Sequence, residues 1–161
     1  AVTSDIHDNI WNLERALGDI SERGLEAFLF LGDFCAPFTL KQIAEGFGGP
    51  IHAIFGNNDG DTFLLSNVAS GFAHVSLHGQ FAELELDGKH VALNHYPEIA
   101  SRLAQSGAYD AVFSGHNHTR HIEMVGRTLW ANPGEVMGRF GEASYGIYDT
   151  ATTTFEHIEL P

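Results

Sequence analysis

Apolar residues recur at helical spacing early in the chain, where Ile10, Leu13, Leu17 and Ile20 fall on one face of a 3.6-residue period. Asp8 and Asn9 precede that stripe as candidate caps and Gly24 follows it as a terminator, so the spacing predicts an amphipathic helix over Ile10–Ser21. Ala27–Leu31 is a continuous apolar run ended by Gly32, the pattern of a strand buried on both faces. Leu40, Ile43, Ala44 and Phe47 give a second helix, stopped by Gly48-Gly49-Pro50, and Ile51–Phe55 another apolar strand. Ala1-Val2-Thr3 reads as the tail of a strand already under way, so residues are expected to precede it. Strand, helix, strand, helix, strand predicts right-handed crossovers and a parallel sheet.

The period then changes. Phe81–Leu86 alternates, Asp87-Gly88 is a two-residue hairpin signal, and Lys89–Leu93 returns antiparallel. Pro97 suits a first helical turn and opens a helix through Ile99, Ala100 and Leu103 to Gly107, followed by a strand at Ala111–Phe113. Turn signals at Gly126-Arg127 and near Asp149-Thr150 make the last third hairpins. The pattern predicts an α/β fold of mixed sheets, two of them face to face with helices outside.

At 161 residues and 43% hydrophobic, the chain has the size and core material of one domain spanning 1–161. A formal charge of −13 opposes binding to polymeric nucleic acid or an anionic membrane, both of which attract basic surfaces. Phosphate chemistry survives that charge when bound metal supplies the positive centre. The one cysteine, Cys35, excludes an intrachain disulfide and fits a reducing, cytoplasmic setting. The apolar runs are far shorter than the roughly 20 residues of a membrane helix. A homo-oligomer is compatible with this composition.

Chemistry collects at the ends of the predicted strands. The first runs into Asp5 and His7, the second into Asp33, the third into Asn57, the returning hairpin strand into His95, and the last into His116 and His118. Asp, Asn and Gly are common after strands because they turn the chain. Histidine has no such role, and five strand ends carrying metal-ligand types point to one site beyond the carboxyl edge of a sheet. Imidazole, carboxylate and amide oxygen without thiolate suit Mn, Fe, Ni, Co or Zn in an open site. His52, His74, His78, His90, His121 and His157 lie in or near strand-like runs and read as structural or surface residues. Cys35 has no evident base and reads as a partly buried thiol rather than a nucleophile. Neither GxGxxG nor a P-loop is present; Gly56, Gly60 and Gly115 flank the candidate ligands as sites of tight turning.

The ordered motifs Ser4-Asp5-Ile6-His7, Leu31-Gly32-Asp33, Gly56-Asn57-Asn58-Asp59, Leu93-Asn94-His95, Gly115-His116-Asn117-His118 and Asn132-Pro133-Gly134 resemble those of the calcineurin-like metallophosphoesterase superfamily, and most of all its small YfcE-like phosphodiesterases. The resemblance runs from Ser4 to the Ser144-Tyr145-Gly146 region. It implies a four-layer α/β/β/α sandwich. It also implies two divalent metals, one on Asp5, His7 and His118, the other on Asn57, His95 and His116, with Asp33 between them. Asp33, Asn57 and His116 are the residues it assigns to catalysis. Two metals about 3.5 to 4 Å apart can hold a bridging hydroxide that attacks phosphorus in line.

Two positions depart from the family pattern. Asn58 stands where monoester-cleaving relatives have a His that protonates the leaving oxygen, which favours diesters or activated aryl esters. Tyr96-Pro97 replaces a common Gly-His, placing a ring beside the second metal. Asn58, Tyr96, Arg120 and Arg139 are the candidate substrate contacts, and the expected partner is a small phosphate ester. The competing readings are a phosphomonoesterase, a mononuclear site, and a non-catalytic protein-interaction scaffold, which would be expected to lose ligands that this sequence keeps.

Overall fold

The structure, a computed structural model, describes residues 1–160. The chain runs β1 (Val2–Thr3), α1 (Ile10–Glu22), β2 (Phe28–Phe30), α2 (Pro37–Gly46), β3 (Ile51–Ala53), α3 (Thr62–Ser70) and β4 (Val75–Leu77). It continues with β5 (Phe81–Leu86), β6 (Lys89–Asn94), α4 (Pro97–Gln105), β7 (Ala111–Phe113), β8 (His121–Val125), β9 (Thr128–Asn132), β10 (Ser144–Asp149) and β11 (Thr154–Glu159). Two mixed sheets form, ordered β11-β10-β1-β2-β3-β4 and β5-β6-β7-β9-β8. Pairing among β1, β2, β3 and β4 is parallel, as are β6–β7 and β7–β9. The hairpins β5–β6, β8–β9 and β10–β11 are antiparallel.

Strand alternation explains how apolar runs serve two cores at once. In β2 and the residue after it, Phe28 and Phe30 pack toward α1 and α2, whereas Leu29 and Leu31 pack into the space between the sheets. In β6 and β7, Val91, Leu93, Ala111 and Phe113 face the same space, and Ala92 and Val112 face Ala100 and Ala104 of α4. The result is helix, sheet, sheet, helix, the four-layer α/β/β/α sandwich. The Asp87-Gly88 turn has positive φ at both residues, 50° and 75°, as a type I′ hairpin demands.

The hydrophobic pattern leaves α3 and β4 unassigned. Phe63 and Leu64 of α3 are exposed and only Leu65 and Ala69 are buried, so the helix has no apolar stripe for periodicity to detect. Its start is set by Asp61, whose side chain accepts the Leu64 N–H at 2.9 Å. Asp61→Ala is expected to lower stability by about 1 kcal/mol, the usual loss for such a cap, read as a shift in denaturant midpoint at unchanged m-value. The two candidate caps of α1 also divide their work. Asn9 accepts from Asn12 N at 3.1 Å, while Asp8 reaches across to α2, accepting from Ala36 N at 2.9 Å and Thr39 Oγ1 at 2.7 Å. Among the described residues no helix is long and apolar enough to cross a membrane.

Candidate metal centre

The loops after β1 and β2 are zipped together. Asp5 N donates to Gly32 O, and Ile6 N and His7 N both donate to Asp33 O, each at 3.1 Å. Gly32 passes so close to the loop after β3 that an added Cβ would lie 2.4 Å from Gly56 N. A Cβ on Gly56 would meet Asp33 Oδ1 at 2.2 Å, and one on Gly115 would meet Ser4 Oγ at 1.9 Å. Gly56 and Gly115 are thus required for close approach, not for tight turning, and Gly60 has room for a side chain. Asp5, His7, Asp33, His116 and His118 all hold positive φ, between 45° and 71°. Each such residue costs roughly 1–3 kcal/mol and persists only where surrounding structure imposes it, which is typical of functional sites.

All seven strand-end residues meet, but not on the edge of one sheet. Asp5, His7, Asp33 and Asn57 follow β1, β2 and β3 of the six-stranded sheet, and His95, His116 and His118 follow β6 and β7 of the other. His118 Nε2 is 3.5 Å and His7 Nε2 3.7 Å from Asp5 Oδ1, with the two imidazoles stacked at 5.1 Å. Asn57 Oδ1 lies 3.0 Å from His95 Nε2 and 2.8 Å from His116 Nδ1. Asp33 Oδ2 stands between the groups, 3.4 Å from His7 Nε2 and 3.5 Å from His95 Nε2. Donor atoms of Asp5, His7 and His118, and of Asp5, Asp33 and His95, lie within 4.8 Å of one another in each set.

Two of these atoms, Asp5 Oδ1 and His7 Nε2, are buried without a hydrogen-bond partner. Orphaned polar atoms are costly, and a cation placed between them satisfies both. The rings are also oriented from behind. His95 Nδ1 donates to the Leu31 carbonyl at 2.7 Å, which leaves Nε2 with its lone pair toward the centre. His118 Nδ1 is held at 2.5 Å by Glu135 Oε2, and His116 N donates to Asp5 Oδ2 at 2.9 Å.

Burial works against the Asp33 charge, yet the neighbouring His95 imidazole and the Asn58 hydrogen bonds outweigh it and hold the carboxyl well below the usual range. His7 is raised, first by the neighbouring Asp5 carboxylate, then by Asp33 charge, against the opposing effect of burial. For His95 burial lowers the pKa, but Asp33 and Asp5 together raise it above the ordinary value. The centre therefore attracts positive charge.

The sequence model of the calcineurin-like phosphoesterase superfamily domain matches residues 1–153. The chain belongs to that superfamily. It is 30% identical over 162 aligned residues to phosphodiesterase MJ0936 of Methanocaldococcus jannaschii, covering 99% of this chain and 97% of that one. The solved structure of an archaeal phosphodiesterase superimposes with a TM-score of 0.91 at 29% identity, over 99% of this chain and 98% of that one. The phosphoesterase YfcE of E. coli shares the fold at a TM-score of 0.69 and 20% identity, over 99% and 98% of the two chains. The chain is accordingly a phosphoesterase of a metal-dependent family.

The candidate substrate contacts of this calcineurin-like phosphoesterase separate in the structure. Asn58 is bound to Asp33, through its backbone N–H to Oδ1 and its amide to Oδ2, both at 2.8 Å. Tyr96 stands against the metal-ligand candidates, its ring 5.3 Å from His95 and 5.0 Å from His116, while Pro97 begins α4. Arg120 is paired with Glu159 of β11 at 2.6 Å on the exposed surface. Arg139 lies over the Phe140 ring, which is itself perpendicular to His118 at 5.1 Å.

Asp59 acts as a clamp: its carboxylate accepts the N–H groups of Gly56, Cys35 and Asp33 at 2.7 to 3.1 Å. Burial, with nearby Asp8 and Asp33, pushes the Cys35 thiol up to about 12; its Sγ lies 3.5 Å from His7 Nδ1. The other histidines stay outside the centre. His52 pairs with His78 at 3.0 Å, and His74 and His157 bond the carbonyls of Ala44 and Asn132. Glu135 and Phe140 escape the sequence reading. A charged residue directly after Asn132-Pro133-Gly134, beside apolar Val136, is the only local signal of Glu135.

Proposed function

We propose that this phosphoesterase is a dinuclear-metal phosphodiesterase acting on a small diester. The observation that carries the reading is the position of Asp33 Oδ2 between two groups, Asp5–His7–His118 and Asn57–His95–His116, with Asp5 Oδ1 and His7 Nε2 otherwise orphaned. Asp5, His7 and His118 would hold one divalent ion, Asn57, His95 and His116 the other, and Asp33 both. Mn, Ni, Fe, Co and Zn all match this mixture of imidazole, carboxylate and amide. Such a pair, when bound, supplies an activated water and neutralises charge on the attacking and leaving oxygens.

The protein's own residues prepare that chemistry. Asp33, kept ionised by Asn58 and His95, provides the negative bridge. Leu31 and Glu135 fix the imidazoles of His95 and His118 so that no reorganisation is needed. Asn57 and His116, in contact at 2.8 Å, border the position that the phosphate would take. A net charge of −13 favours a small substrate over a polymeric nucleic acid.

Diester preference follows from Asn58, whose amide is engaged with Asp33 and has no proton to give a leaving oxygen. General acid catalysis is typically worth about 10²- to 10⁴-fold, and its loss penalises poor leaving groups most. With added Mn or Ni, the protein should hydrolyse bis(p-nitrophenyl) phosphate and turn over the monoester slowly. Asn58→His should lower diester turnover, because the Asp33 contact is lost, while raising the monoester-to-diester ratio by up to about 10²-fold. A wild type that prefers the monoester, or a ratio that falls in Asn58→His, rejects the diesterase reading.

A further inference from the structure

Phe140 leaves 71% of its surface in solvent although the backbone beneath it is firmly held. The N–H groups of Phe140 and Gly141 donate to Glu135 Oε1 at 2.5 and 2.8 Å. Just upstream, the Asn9 amide donates to Met137 O at 2.9 Å and the Asn12 amide to Val136 O at 3.0 Å. The ring so displayed stands 5.1 Å from the His118 ring, and the Arg139 guanidinium carbon is 5.5 Å from its centroid. Glu135 binds His118 with its other oxygen, so one buried carboxylate sets both the imidazole and the loop that carries the phenyl ring. An aromatic ring contributes most when its face is covered, and here a fixed loop presents that face at the rim of the metal centre.

We propose that Phe140 is a specificity-determining residue, a platform on which a flat arm of the ester, an aryl ring or a nucleobase, stacks while the phosphate occupies the centre bordered by Asn57 and His116. The inference rests on the phosphodiesterase reading. Arg139 lies over one face of the ring and brings positive charge beside the platform in a strongly acidic protein, so the flat arm stacks on the face that Arg139 leaves open. Tyr96 flanks the other group of ligands against His95 and His116.

The test compares Mn-loaded wild type and Phe140→Ala by calorimetric titration with phenyl phosphate, adenosine monophosphate and inorganic phosphate, and by kinetics on bis(p-nitrophenyl) phosphate. Base and aryl stacking on one aromatic side chain predicts a loss of roughly 5- to 100-fold in affinity for at least one of the two flat ligands. The loss should appear in KM more than in kcat, and Phe140→Trp should restore it. Inorganic phosphate, which has no flat arm, should bind both proteins alike. An equal loss for inorganic phosphate would make the ring a support for His118 and overturn the proposal. No loss for any ligand overturns it too, leaving the ring to another partner such as a protein. A wild type that hydrolyses no diester and binds no phosphate removes the phosphodiesterase reading and the platform with it, an outcome separate from the other two.

Discussion

Asp33→Asn is expected to abolish turnover of bis(p-nitrophenyl) phosphate, with kcat/KM falling by at least about 10³-fold. The reason is the position of one atom. Asp33 Oδ2 is the shared neighbour of His7 and His95, and Asn58 donates to both carboxylate oxygens. An amide there carries no charge, and one orientation turns its own NH₂ toward the Asn58 amide. In the proposed centre a bound metal pair would lower the pKa of water from 15.7 to about 7, so loss of the Asp33 charge would remove nucleophile at neutral pH rather than merely slow a proton transfer. Elemental analysis of the purified variant should show fewer than two bound metals per chain. Wild-type metal content together with wild-type kcat/KM would refute the bridging role.

Glu135→Ala should produce the next largest effect, although Glu135 is remote from any reacting atom. It is almost fully buried, and its loss strands three donors: His118 Nδ1, Phe140 N and Gly141 N. Removing the carboxylate that orients a metal-binding imidazole typically lowers metal affinity or activity by about 10- to 100-fold. Stranding the partly buried His118 Nδ1 adds a stability loss of about 1–3 kcal/mol, whereas the N–H groups of Phe140 and Gly141 belong to exposed residues that water can reach. Glu135→Gln keeps the volume and an acceptor, so it should recover most of the stability while leaving metal affinity depressed. Thermal melts with and without metal separate the two effects. Equal metal affinity in both variants and wild type would limit Glu135 to a purely structural role.

Much of the candidate centre was legible because its residues sit where local pattern and chemistry coincide. Short apolar runs define strands, and a His after such a run has no turn function to explain it, as at His95, His116 and His118. The parallel first half followed from strand and helix alternation, and the Asp87-Gly88 hairpin from turn chemistry. The segment 62–77 was not legible, since α3 exposes Phe63 and Leu64 and carries no periodic face. Asp8 reads as a cap for the helix that follows it and instead bonds Ala36 and Thr39 at the start of α2, because the loops after β1 and β2 run side by side.

The sequence by itself determined the residue types of the candidate metal centre, their order, and their placement at five strand ends, since these depend on local periodicity and turn preference. Only the tertiary structure decided that the five ends come from two stacked sheets. The same holds for the pairing of Arg120 with Glu159, for the binding of Asn58 to Asp33, and for the tie from Glu135 to both His118 and Phe140. These contacts join segments 17 to 39 residues apart where they are side chain to side chain, and their geometry arises when burial between the sheets fixes which loops meet. Periodicity along a chain carries no record of that meeting.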